Sequence, residues 1–542
     1  MSRMEALQRR YRVKVGFRNF DVKGKVALYT GARDFLRERI TIHRAKEEIK
    51  RDLDTRDERF LDLVRTQIYE RPDSPYLKLL KIAGCDLSDL QTLVHRQGIE
   101  KTLEQLAAGG VYLTSDEFKG KKEIVRGKEY FRVTPADFVR PDLPAGIVIQ
   151  SSGTRNRPVR SVVPFDWLAI RAFATGVFFA AHDLFSYSHA IYDAILPGSA
   201  VHHLLVNAKL GKATDRWFAR RVPEMTPLHA LAHQLTTYLL VLAGKRYGPG
   251  FPMPRFIEVE EMERIVRWIE KEKRKKKACY ITTIASSAAR IARAAWEMGV
   301  PLDGTKFNVA GEPFTEAKEE TIRKVGASVT SRYSYGGGVS AAYGCANPLH
   351  RDEVHVNQHM LALIRHPTPL APGGRPIHPL LCTSLYAEAP RMLLNVENGD
   401  YATLETRNCG CGLGEAGLTL HLHHIRSFEK FTSEGMNYFY VDLFDLLERV
   451  FPSEFGGGPG DYQLVEEEDD NGRTRLTLVV HPQVGSVDEA KLLARLQEGL
   501  SAGPWGNRFM SEIWQGAGTL RIKREIPYVS PRGKILPLHI PR

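Results

Sequence analysis

The chain has 542 residues, 43% of them hydrophobic and 26% charged, and a formal net charge of +12. That length exceeds what one hydrophobic core supports, and the composition is typical of a globular protein rather than a disordered one. The basic residues are spread along the chain and match no nucleic-acid-binding module, so we expect no nucleic-acid partner. A positive surface would equally suit polyanionic small molecules.

No targeting or membrane segment is predicted. The N-terminus lacks a signal-type apolar core, and the longest apolar stretch, residues 167–185, is interrupted by Arg171, His182 and Asp183. This interruption favours a buried helix over a membrane span. Six cysteines in a chain of this size do not form a disulfide framework. We therefore expect a cytoplasmic protein.

The N-terminal part of the chain, from about residue 45 to residue 106, is predicted to be helical before strands begin. Helical spacing covers residues 45–82, with a break at 71–75, and residues 87–106, and strands and loops are expected over 111–138. From about 160 to 345 strands and helices alternate, which favours an α/β architecture with largely parallel sheets. Predicted elements there include helices over 228–242 and 286–299 and strands over 279–283 and 306–310.

The tail of the chain, beyond about residue 427, reads as a separate small α/β domain. It contains a predicted helix over 441–450 and a second helix over 488–500. Between them, strands over 462–467 and 475–480 are joined by an acidic turn with an Asn-Gly pair, which indicates a hairpin.

A turn of small hydroxyl residues follows a predicted buried strand at 146–150. It reads Ser151, Ser152, Gly153, Thr154 and is followed at once by Arg155. Free backbone N–H groups, hydroxyls and a guanidinium suit the oxygens of a phosphate chain. An ordinary polar loop is the alternative interpretation, because Ser/Gly loops are common.

Two later segments suit a flat heterocycle. Gly311, Glu312 and Pro313 end a predicted strand at the carboxyl edge of a sheet, where α/β proteins bind ligands, although helix capping would explain the same residues. Tyr333 and Tyr335 precede three glycines that begin at Gly336. These glycines allow the backbone to approach a flat ligand such as adenine, with a tyrosine ring beside it.

Two more segments carry single charged residues on glycine turns. Asp400, after Asn398 and Gly399, suits bidentate binding of ribose hydroxyls, with a plain β-turn as the alternative. Lys534 follows Gly533 near the C-terminus. A lysine on such a turn can reach into a cleft and neutralise charge that builds up on a phosphate, although a basic residue near a terminus is usually only solvated.

Cys345, His355, Cys409 and Cys411 form a candidate metal site. Three thiolates and an imidazole suit tetrahedral Zn²⁺, and the Cys409-Gly410-Cys411 turn presents two sulfurs to one ion. His350 and His359 are rivals for the fourth position, and three reduced cysteines without a metal remain the alternative. His421 and His423 alternate along a predicted strand, so we place them on one face of that strand rather than in a metal site.

These segments, in their order, resemble the motifs of the acyl-adenylate-forming superfamily of acyl- and aryl-CoA ligases, adenylation domains and luciferases. The closest resemblance is to its phenylacetate–CoA ligase branch, through the SPY segment at 74–76 and AGEPFTE at 310–316, which is similar to GAEPWTE. Residues 151–158 resemble the phosphate loop, with Arg155 in place of a hydroxyl residue and Asn156 in place of a glycine. Residues 533–534 resemble the C-terminal Gly-Lys motif.

The chain departs from the family at two further motifs. Where a Tyr-Gly motif ends in a glutamate that holds Mg²⁺, this chain has Val339, so the metal is held through ATP alone, by Asp352 or Glu353, or adenylation has been lost. In the hinge, Arg426 matches a nucleotide-contacting arginine, but Phe428 and Glu429 replace the paired acids.

The resemblance implies an α/β fold with a large layered N-terminal domain of the adenylate-forming type, residues 1–426, and a small mobile C-terminal domain, residues 427–542. It implies that a carboxylic acid is activated with ATP and Mg²⁺ as an acyl-adenylate and passed to a thiol, expected to be CoA. Some proteins of this branch hold structural Zn²⁺ through similar cysteines and a histidine. The implied nucleotide-binding residues are Ser151, Ser152, Gly153, Thr154, Arg155, Gly311, Glu312, Pro313, Tyr333, Tyr335, Gly336, Asp400 and Arg426, with Lys534 as the catalytic residue.

Alternatives remain open at this point. The acceptor is alternatively a protein, a carrier or an amine, or the chain is a degenerate nucleotide-binding scaffold without catalysis. The sequence does not identify the acid, and a homodimer is left open as the oligomeric state.

Overall fold

The computed structural model describes residues 22–150, 160–220, 227–258, 261–335, 339–369, 376–427, 432–433, 436–437, 443–468, 474–501, 520–530 and 533–539.

The N-terminal part is helical, as predicted. Its helices are Val22–Arg37, Ile42–Asp54, Arg56–Val64, Pro75–Ile82 and Leu87–Ala108, with a π-helical turn at Arg65–Tyr69. Thr41 accepts the N–H of Arg44 as an N-cap, and Asp86 and Asp89 form a reciprocal capping box. Caps of this kind satisfy backbone groups that the first helical turn leaves unpaired, so both helix starts follow from local sequence. Gly98, at φ +79°, kinks the last helix.

Further helices lie between and after the strands. They are Ser115–Phe118, Phe165–Ala181, Ala200–Lys209, Pro227–Tyr247, Glu263–Arg274, Ala285–Glu297, Glu316–Arg323, Gly412–Glu415, Leu443–Asp445, Phe451–Phe455 and Glu489–Ser501, with a π-helical turn at Leu446–Val450 and 3₁₀ turns at Leu184–Ser186 and Pro482–Val484. Phe165–Ala181 is almost entirely buried, which confirms the expected buried helix. Among the described residues, no helix combines the length and apolar character needed to traverse a bilayer.

The strands number 22 within the described residues. They are β1 (Ile124–Arg126), β2 (Glu129–Phe131), β3 (Gly146–Gln150), β4 (Arg160–Pro164), β5 (Ser188–Tyr192), β6 (Arg216–Ala219), β7 (Pro254–Phe256), β8 (Cys279–Ile284), β9 (Thr305–Ala310), β10 (Ser328–Tyr335), β11 (Val339–Gly344), β12 (Val354–Val356), β13 (Leu361–Arg365), β14 (Pro379–Ser384), β15 (Val396–Thr406), β16 (Leu420–Ser427), β17 (Thr432–Ser433), β18 (Met436–Asn437), β19 (Tyr462–Glu468), β20 (Thr474–Val480), β21 (Leu520–Arg524) and β22 (Leu538–His539).

One sheet of twelve strands organises the fold, in the order β13-β14-β15-β16-β12-β11-β10-β9-β8-β5-β6-β7. The fold is therefore mixed α/β, as expected. Neighbouring strands from β10 to β7 pair in parallel, and those from β10 to β13 pair antiparallel. The prediction of largely parallel pairing for residues 160–345 is confirmed for β5 to β10, whereas β11 and the strands beyond residue 345, which that prediction did not cover, pair antiparallel. Helical crossovers join the parallel strands, whereas hairpins and short loops join the others.

The tail has a hydrophobic core of its own. Its members all lie between Leu443 and Leu538 and come from the helices around Phe451, from Glu489–Ser501 and from the strands. The predicted hairpin is present as β19 and β20, which lie in a four-stranded sheet ordered β21-β20-β19-β22. A separate core of this kind is what an independent small domain requires.

Candidate functional site

A cavity of about 340 Å³ opens at the carboxyl ends of β9 and β10. Its lining combines residues from the large sheet with Lys534 from the tail of the chain. In open α/β sheets this edge is the usual place for a ligand, because backbone groups and loop side chains converge there. Predicted residues that line it are Gly311, Glu312, Pro313, Tyr333, Tyr335, Asp400, Arg426 and Lys534.

One carboxylate oxygen of Glu312 accepts hydrogen bonds and the other accepts none within the described part of the chain. Its Oε1 accepts hydrogen bonds of 2.5 Å from the backbone N–H and from the hydroxyl of Ser286. Its Oε2 is buried and has no hydrogen-bond partner among the described residues. A buried carboxylate oxygen without a donor is costly, so this atom is suited to a donor on a bound ligand. Gly311, at φ +86°, makes the turn that places it.

Tyr333 and Asp400 contact each other at the end of the sheet that borders the cavity. The Tyr333 hydroxyl donates a 2.9 Å hydrogen bond to Asp400 Oδ2, and the side-chain amide of Asn398 donates one of 3.1 Å to the same oxygen. The Tyr335 hydroxyl instead reaches the carbonyls of Leu380 and Val396. Tyr335 therefore buttresses the wall of the cavity, whereas Tyr333 orients a carboxylate within it.

The Asn398-Gly399-Asp400 segment is not the turn that its composition predicts. It lies inside β15, where Gly399 adopts φ +74° and the pairing with β16 slips between Tyr401 and Thr403. A left-handed glycine inside a strand locally re-aims the following side chain. The irregularity thus points Asp400 at the cavity although the strand continues past it.

Asp352 and Arg426 form the next part of the wall. Asp352 accepts the backbone N–H groups of His424 (3.0 Å) and Ile425 (2.9 Å) and lies 3.3 Å from an Arg426 nitrogen. Glu353 is engaged by Arg407, by His421 and by two backbone N–H groups. Both carboxylates thus already accept several hydrogen bonds, and of the two candidates for the role of the glutamate missing at Val339, Asp352 lines the cavity and Glu353 does not.

Lys534 reaches this cavity from the tail of the chain. A methyl group built on Gly311 would lie 3.2 Å from Lys534 Cε and 3.4 Å from its Nζ. Ser530 holds the turn, because its hydroxyl accepts the Lys534 N–H at 3.0 Å and its N–H donates to the Lys534 carbonyl at 2.8 Å. Gly533 has φ +75°, which favours glycine, and a Cβ there would lie 1.2 Å from an Arg220 nitrogen, so any other residue would require Arg220 or the turn to move.

The predicted phosphate-loop residues Ser151, Ser152, Gly153, Thr154 and Arg155 lie outside the described residues, as does Gly336. The strands that flank the loop in sequence are β3 and β4, which pair antiparallel. Ile149 on β3 and Ser161 on β4 both line the cavity. The predicted phosphate loop therefore connects two strand ends that border the same cavity as Asp400 and Lys534.

The four predicted metal ligands come together at a separate place. One ligand atom each from Cys345, His355, Cys409 and Cys411 lies within 4.8 Å of the others. His355 Nε2 is 3.2 Å from Cys411 Sγ and 3.5 Å from Cys409 Sγ. The other ring nitrogen, Nδ1, donates to the Leu418 carbonyl at 2.6 Å, which leaves the Nε2 lone pair for an ion.

One thiol of this cluster favours the thiolate form without an ion. Hydrogen bonding from the Cys345 thiol lowers the pKa of the Cys411 thiol, and the thiolate is the form that binds Zn²⁺. The same hydrogen bond raises the pKa of Cys345, and burial raises that of Cys409, so these two thiols lose their protons only when an ion binds. Gly410, at φ +67°, forms the tight turn between the two sulfurs of the Cys-Gly-Cys segment. The donor set, its spacing and the anchored imidazole therefore fit tetrahedral Zn²⁺.

Neither rival histidine lies in this cluster. His350 stacks on His423 with ring centroids 4.0 Å apart, beside His424. His359 is fully buried elsewhere, and neither of its ring nitrogens has a hydrogen-bond partner among the described residues. His421 and His423 share a face of β16, as predicted. His421 contacts Glu353 and His355, and His423 contacts His350.

The cavity also contains residues that the sequence analysis did not assign to a site. They are Arg171 and Arg332, with His202 and His203 beside them. The available signal was Arg171 itself, a charged residue in the middle of a buried helix whose other charged residue, Asp166, lies in the first turn. Such a residue is retained only where something pairs with its charge.

No protein-family model matches the chain, and no curated protein matches it either. Similar solved structures include 2-hydroxyisobutyryl-CoA ligase in complex with 2-HIB-AMP and CoA, at 14% identity and a TM-score of 0.41 over 90% of this chain and 89% of that one. They also include ATP-bound MatB from Rhodopseudomonas palustris (14%, TM-score 0.34, 70% of each chain). A third is acetoacetyl-CoA synthetase from Streptomyces lividans (14%, TM-score 0.39, 72% of this chain and 54% of that one). These scores are low, so the function of this chain has to be inferred from its own residues.

Proposed function

We propose that this protein activates a carboxylic acid with ATP, forming an acyl-adenylate and pyrophosphate, and then transfers the acyl group to a thiol, with CoA as the expected acceptor. The observation that carries the proposal is the convergence of Glu312, Tyr333, Asp400, Arg426 and Lys534 on one cavity. These residues are up to 222 positions apart in sequence and come from the large sheet and from the tail, which has a hydrophobic core of its own.

Asp400 and Arg426 are assigned to the nucleotide. The two oxygens of a carboxylate accept the two hydroxyls of a ribose in a bidentate way, and Tyr333 fixes the orientation of that carboxylate through its hydroxyl. Glu312 offers its unpartnered Oε2 to a donor such as the adenine amino group. Arg426 adds positive charge on the same wall, beside the occupied Asp352.

Lys534 is assigned to the chemical step. The acid's carboxylate attacks the α-phosphorus in line, the bond to the bridging oxygen of pyrophosphate breaks, and negative charge builds on the α-phosphate oxygens. An ammonium group held at this point stabilises the transition state more than the ground state, which is what accelerates a phosphoryl or nucleotidyl transfer. Ser151 to Thr154 and Arg155 are assigned to the leaving phosphates, and Mg²⁺ is assumed to accompany ATP and neutralise part of their charge.

Lys534 belongs to the proposed C-terminal domain, residues 427–542. The rest of the chain, residues 1–426, forms the proposed N-terminal domain. Among the described residues, polar contacts between the tail and the rest of the chain include Lys318 with Glu448 at 2.7 Å, Thr315 with Glu448, Arg293 with Asp461, and Arg290 with the Gly533 carbonyl at 2.9 Å. Polar contacts of this kind suit a domain that moves between the adenylation step and the thiol step.

Zn²⁺ is proposed as a structural ion held by Cys345, His355, Cys409 and Cys411. A four-ligand closed site leaves no position for substrate, so it contributes stability rather than chemistry. The Cys409–Cys411 segment precedes Gly412–Glu415, and His355 lies on β12, so the ion would tie a loop to the large sheet.

The test is a product analysis. Purified protein is incubated with ATP, Mg²⁺ and single acids from an aryl and fatty-acid panel, with and without CoA. AMP and pyrophosphate that appear only with one acid class support adenylation, and a thioester that appears only with CoA identifies the acceptor. AMP formation without a CoA product would direct the search to a protein, carrier or amine acceptor. If ATP binds but no acid gives AMP, the proposal fails.

A second candidate, a nucleotide-binding scaffold without catalysis, is favoured by one observation. Val339 replaces the metal-binding glutamate, and the neighbouring carboxylates of Asp352 and Glu353 are already engaged. Equilibrium binding of ATP with and without Mg²⁺ separates the candidates. Binding that is indifferent to Mg²⁺, together with no AMP formation, would favour the scaffold.

A further inference from the structure

Two arginines that serve neither the nucleotide nor the acid activation face the cavity. Arg171 lies on the helix Phe165–Ala181 and is 5% exposed, and Arg332 lies on β10. Arg171 donates to the Ser340 hydroxyl at 2.6 Å and lies 3.5 Å from His202. Arg332 donates to His203 Nε2 at 3.0 Å. The Nε atoms of both guanidinium groups are buried with no hydrogen-bond partner among the described residues.

No described carboxylate that lines the cavity neutralises these two charges. Asp193 is engaged by Ser199, Arg220 and the N–H of Ala194. The other lining carboxylates are Glu312, held by Ser286; Asp352, held by the His424 and Ile425 backbone and Arg426; and Asp400, held by Tyr333 and Asn398. The neutral partners Ser340, His202 and His203 provide hydrogen bonding without any countercharge.

The two charges also act on each other and on their neighbours. Burial lowers the pKa of Arg171, and the nearby charge of Arg332 lowers it further. Burial together with these two arginines holds the pKa of His203 well below its usual range, so this imidazole is neutral at physiological pH. Desolvated like charges are unfavourable unless an anion joins them. The site is therefore incomplete until it receives a negative charge from a ligand.

The position of the pair separates it from the nucleotide residues. Successive side chains of a strand point to opposite faces, and Tyr333, next to Arg332 on β10, points toward Asp400. Arg332 points instead toward His203 on the helix Ala200–Lys209, and Arg171 reaches the same region from the neighbouring helix. The anion that these arginines attract is thus on the other side of β10 from the ribose and adenine positions.

We propose that Arg171 and Arg332 bind a second anionic group on the acid that is activated, so that the substrate is a carboxylic acid with a further carboxylate or an equivalent anion at its far end. This inference rests on the proposed adenylation function. One carboxylate of the substrate attacks ATP near Lys534, while the other is held by the guanidinium pair. Planar guanidinium groups suit a planar carboxylate, because two parallel N–H donors match its two oxygens.

The experiment compares matched acids that differ only in the second charge: adipate against hexanoate, and terephthalate against 4-methylbenzoate. The variants are Arg171→Met, Arg332→Met and Arg171→Lys, with Arg365→Met, an exposed arginine on β13, as the matched control. Two readouts are taken: acid-dependent AMP formation, and the shift in melting temperature that each acid causes in the presence of a non-hydrolysable ATP analogue.

The wild type should favour a dicarboxylate over its matched monocarboxylate by about 10-fold or more in kcat/KM, since hydrogen bonds to charged groups contribute on this scale. Arg171→Met and Arg332→Met should each remove that preference and leave the KM for ATP unchanged, and Arg171→Lys should restore part of it. A dicarboxylate should raise the melting temperature of the wild type and of Arg365→Met, but not of Arg171→Met.

The outcomes separate the two proposals. If a dicarboxylate stabilises the wild type selectively but no AMP forms, the anion site stands and adenylation fails. If AMP forms equally well from monocarboxylates and dicarboxylates, adenylation stands and the anion site is wrong. A loss of ATP affinity in Arg171→Met would also overturn the proposal, because it would assign the arginines to the phosphates. A terminal sulfonate, tested as 4-sulfobenzoate, distinguishes a carboxylate-specific site from a general anion site.

Discussion

The hydroxyl of Tyr333 donates a 2.9 Å hydrogen bond to Asp400, although three strands separate β10 from β15 in the sheet. The contact forms at the end of the sheet, where both side chains reach over the intervening strands. Burial and the neighbouring Asp400 charge hold the pKa of Tyr333 well above its usual range. Tyr333 is therefore a donor throughout the neutral range, and it fixes which Asp400 oxygens face the cavity.

Removing this hydrogen bond should weaken nucleotide binding more than it slows the chemistry. Tyr333→Phe should raise the KM for ATP by about 3- to 10-fold, since a hydrogen bond contributes about 0.5–1.5 kcal/mol, with little change in kcat. Steady-state kinetics at saturating acid measure the effect. Tyr69→Phe, which loses a hydrogen bond to the Cys85 carbonyl outside the cavity lining, is the matched control. An unchanged KM for ATP in Tyr333→Phe would contradict the assignment of Asp400 to the ribose.

The cysteine cluster predicts one bound zinc ion per chain. Cys409→Ser and Cys411→Ser should each lower the zinc content, measured by elemental analysis, and lower the melting temperature. The stabilising effect of a structural ion is lost with its ligands, because the binding free energy is also folding free energy. A chelator should lower the melting temperature of the wild type in the same way.

Two variants test which residues belong to the zinc site. His350→Ala should keep full zinc, because His350 stacks on His423 away from the cluster, whereas His355→Ala should lose it. Cys85→Ser, at a half-buried thiol near Tyr69, controls for the loss of a cysteine as such. Metal-free wild type with an unchanged melting temperature would rule out a structural zinc ion.

Gly533 sets the position of Lys534 without touching substrate. Gly533→Ala should reduce acid-dependent AMP formation strongly, because the new Cβ would overlap an Arg220 nitrogen and displace the turn. Gly485→Ala is a close match, since Gly485 has φ +79° and nothing within 4 Å of a built Cβ. Both variants carry the cost of a left-handed alanine, about 1 kcal/mol. Only Gly533→Ala should lose activity, and equal loss in both would refute this role.

Histidine burial predicts acid sensitivity of the fold. Burial, aided by Arg59 and Arg56, lowers the pKa of His359 to about 3. Since the unfolded chain binds that proton at a pKa of about 6.5, the stability is complete above that pH and is lost as the pH falls toward 3. At pH 5 the loss from this residue is about 2 kcal/mol.

Replacing this histidine should therefore flatten the pH dependence of unfolding. His359→Leu should change less than the wild type in its urea midpoint between pH 7.5 and pH 5. His43→Leu, at an exposed histidine, should follow the wild type. A His359→Leu curve parallel to that of the wild type would mean that this ring is already solvated or protonated in the folded state.

Local patterns predicted several of the helices and the parallel strands β8 and β9. The 71–75 break and the apolar run at 279–283 are signals that act within a few residues, as are the Thr41 and Asp86 caps that the structure shows. The antiparallel half of the sheet was largely missed, β16 excepted, because most of its strands carry no comparable signal. β12 is three residues long, and β15 begins with an Asn-Gly-Asp sequence that is typical of turns.

The residues of the site also divide into some that local sequence patterns identified and others that they did not. Cysteines and histidines are rare enough for their spacing to suggest the metal cluster, and glycine turns marked Glu312, Asp400 and Lys534. Arg171 and Arg332 could not be assigned, because a guanidinium group acquires a role only from what surrounds it. Arg171 lies on a helix and Arg332 on a strand 161 positions later, and no local pattern links them.

The most direct test of the account is acid-dependent exchange of pyrophosphate into ATP, which reports the adenylation step alone. With an acid that the wild type accepts, Lys534→Ala should lower the exchange rate by about 100-fold or more, as expected when a preorganised charge is removed from a transition state. Lys491→Ala, at a lysine near Phe455 far from the cavity, should exchange at the wild-type rate. Exchange by Lys534→Ala at the wild-type rate would contradict the assignment of this cavity to acyl-adenylate formation.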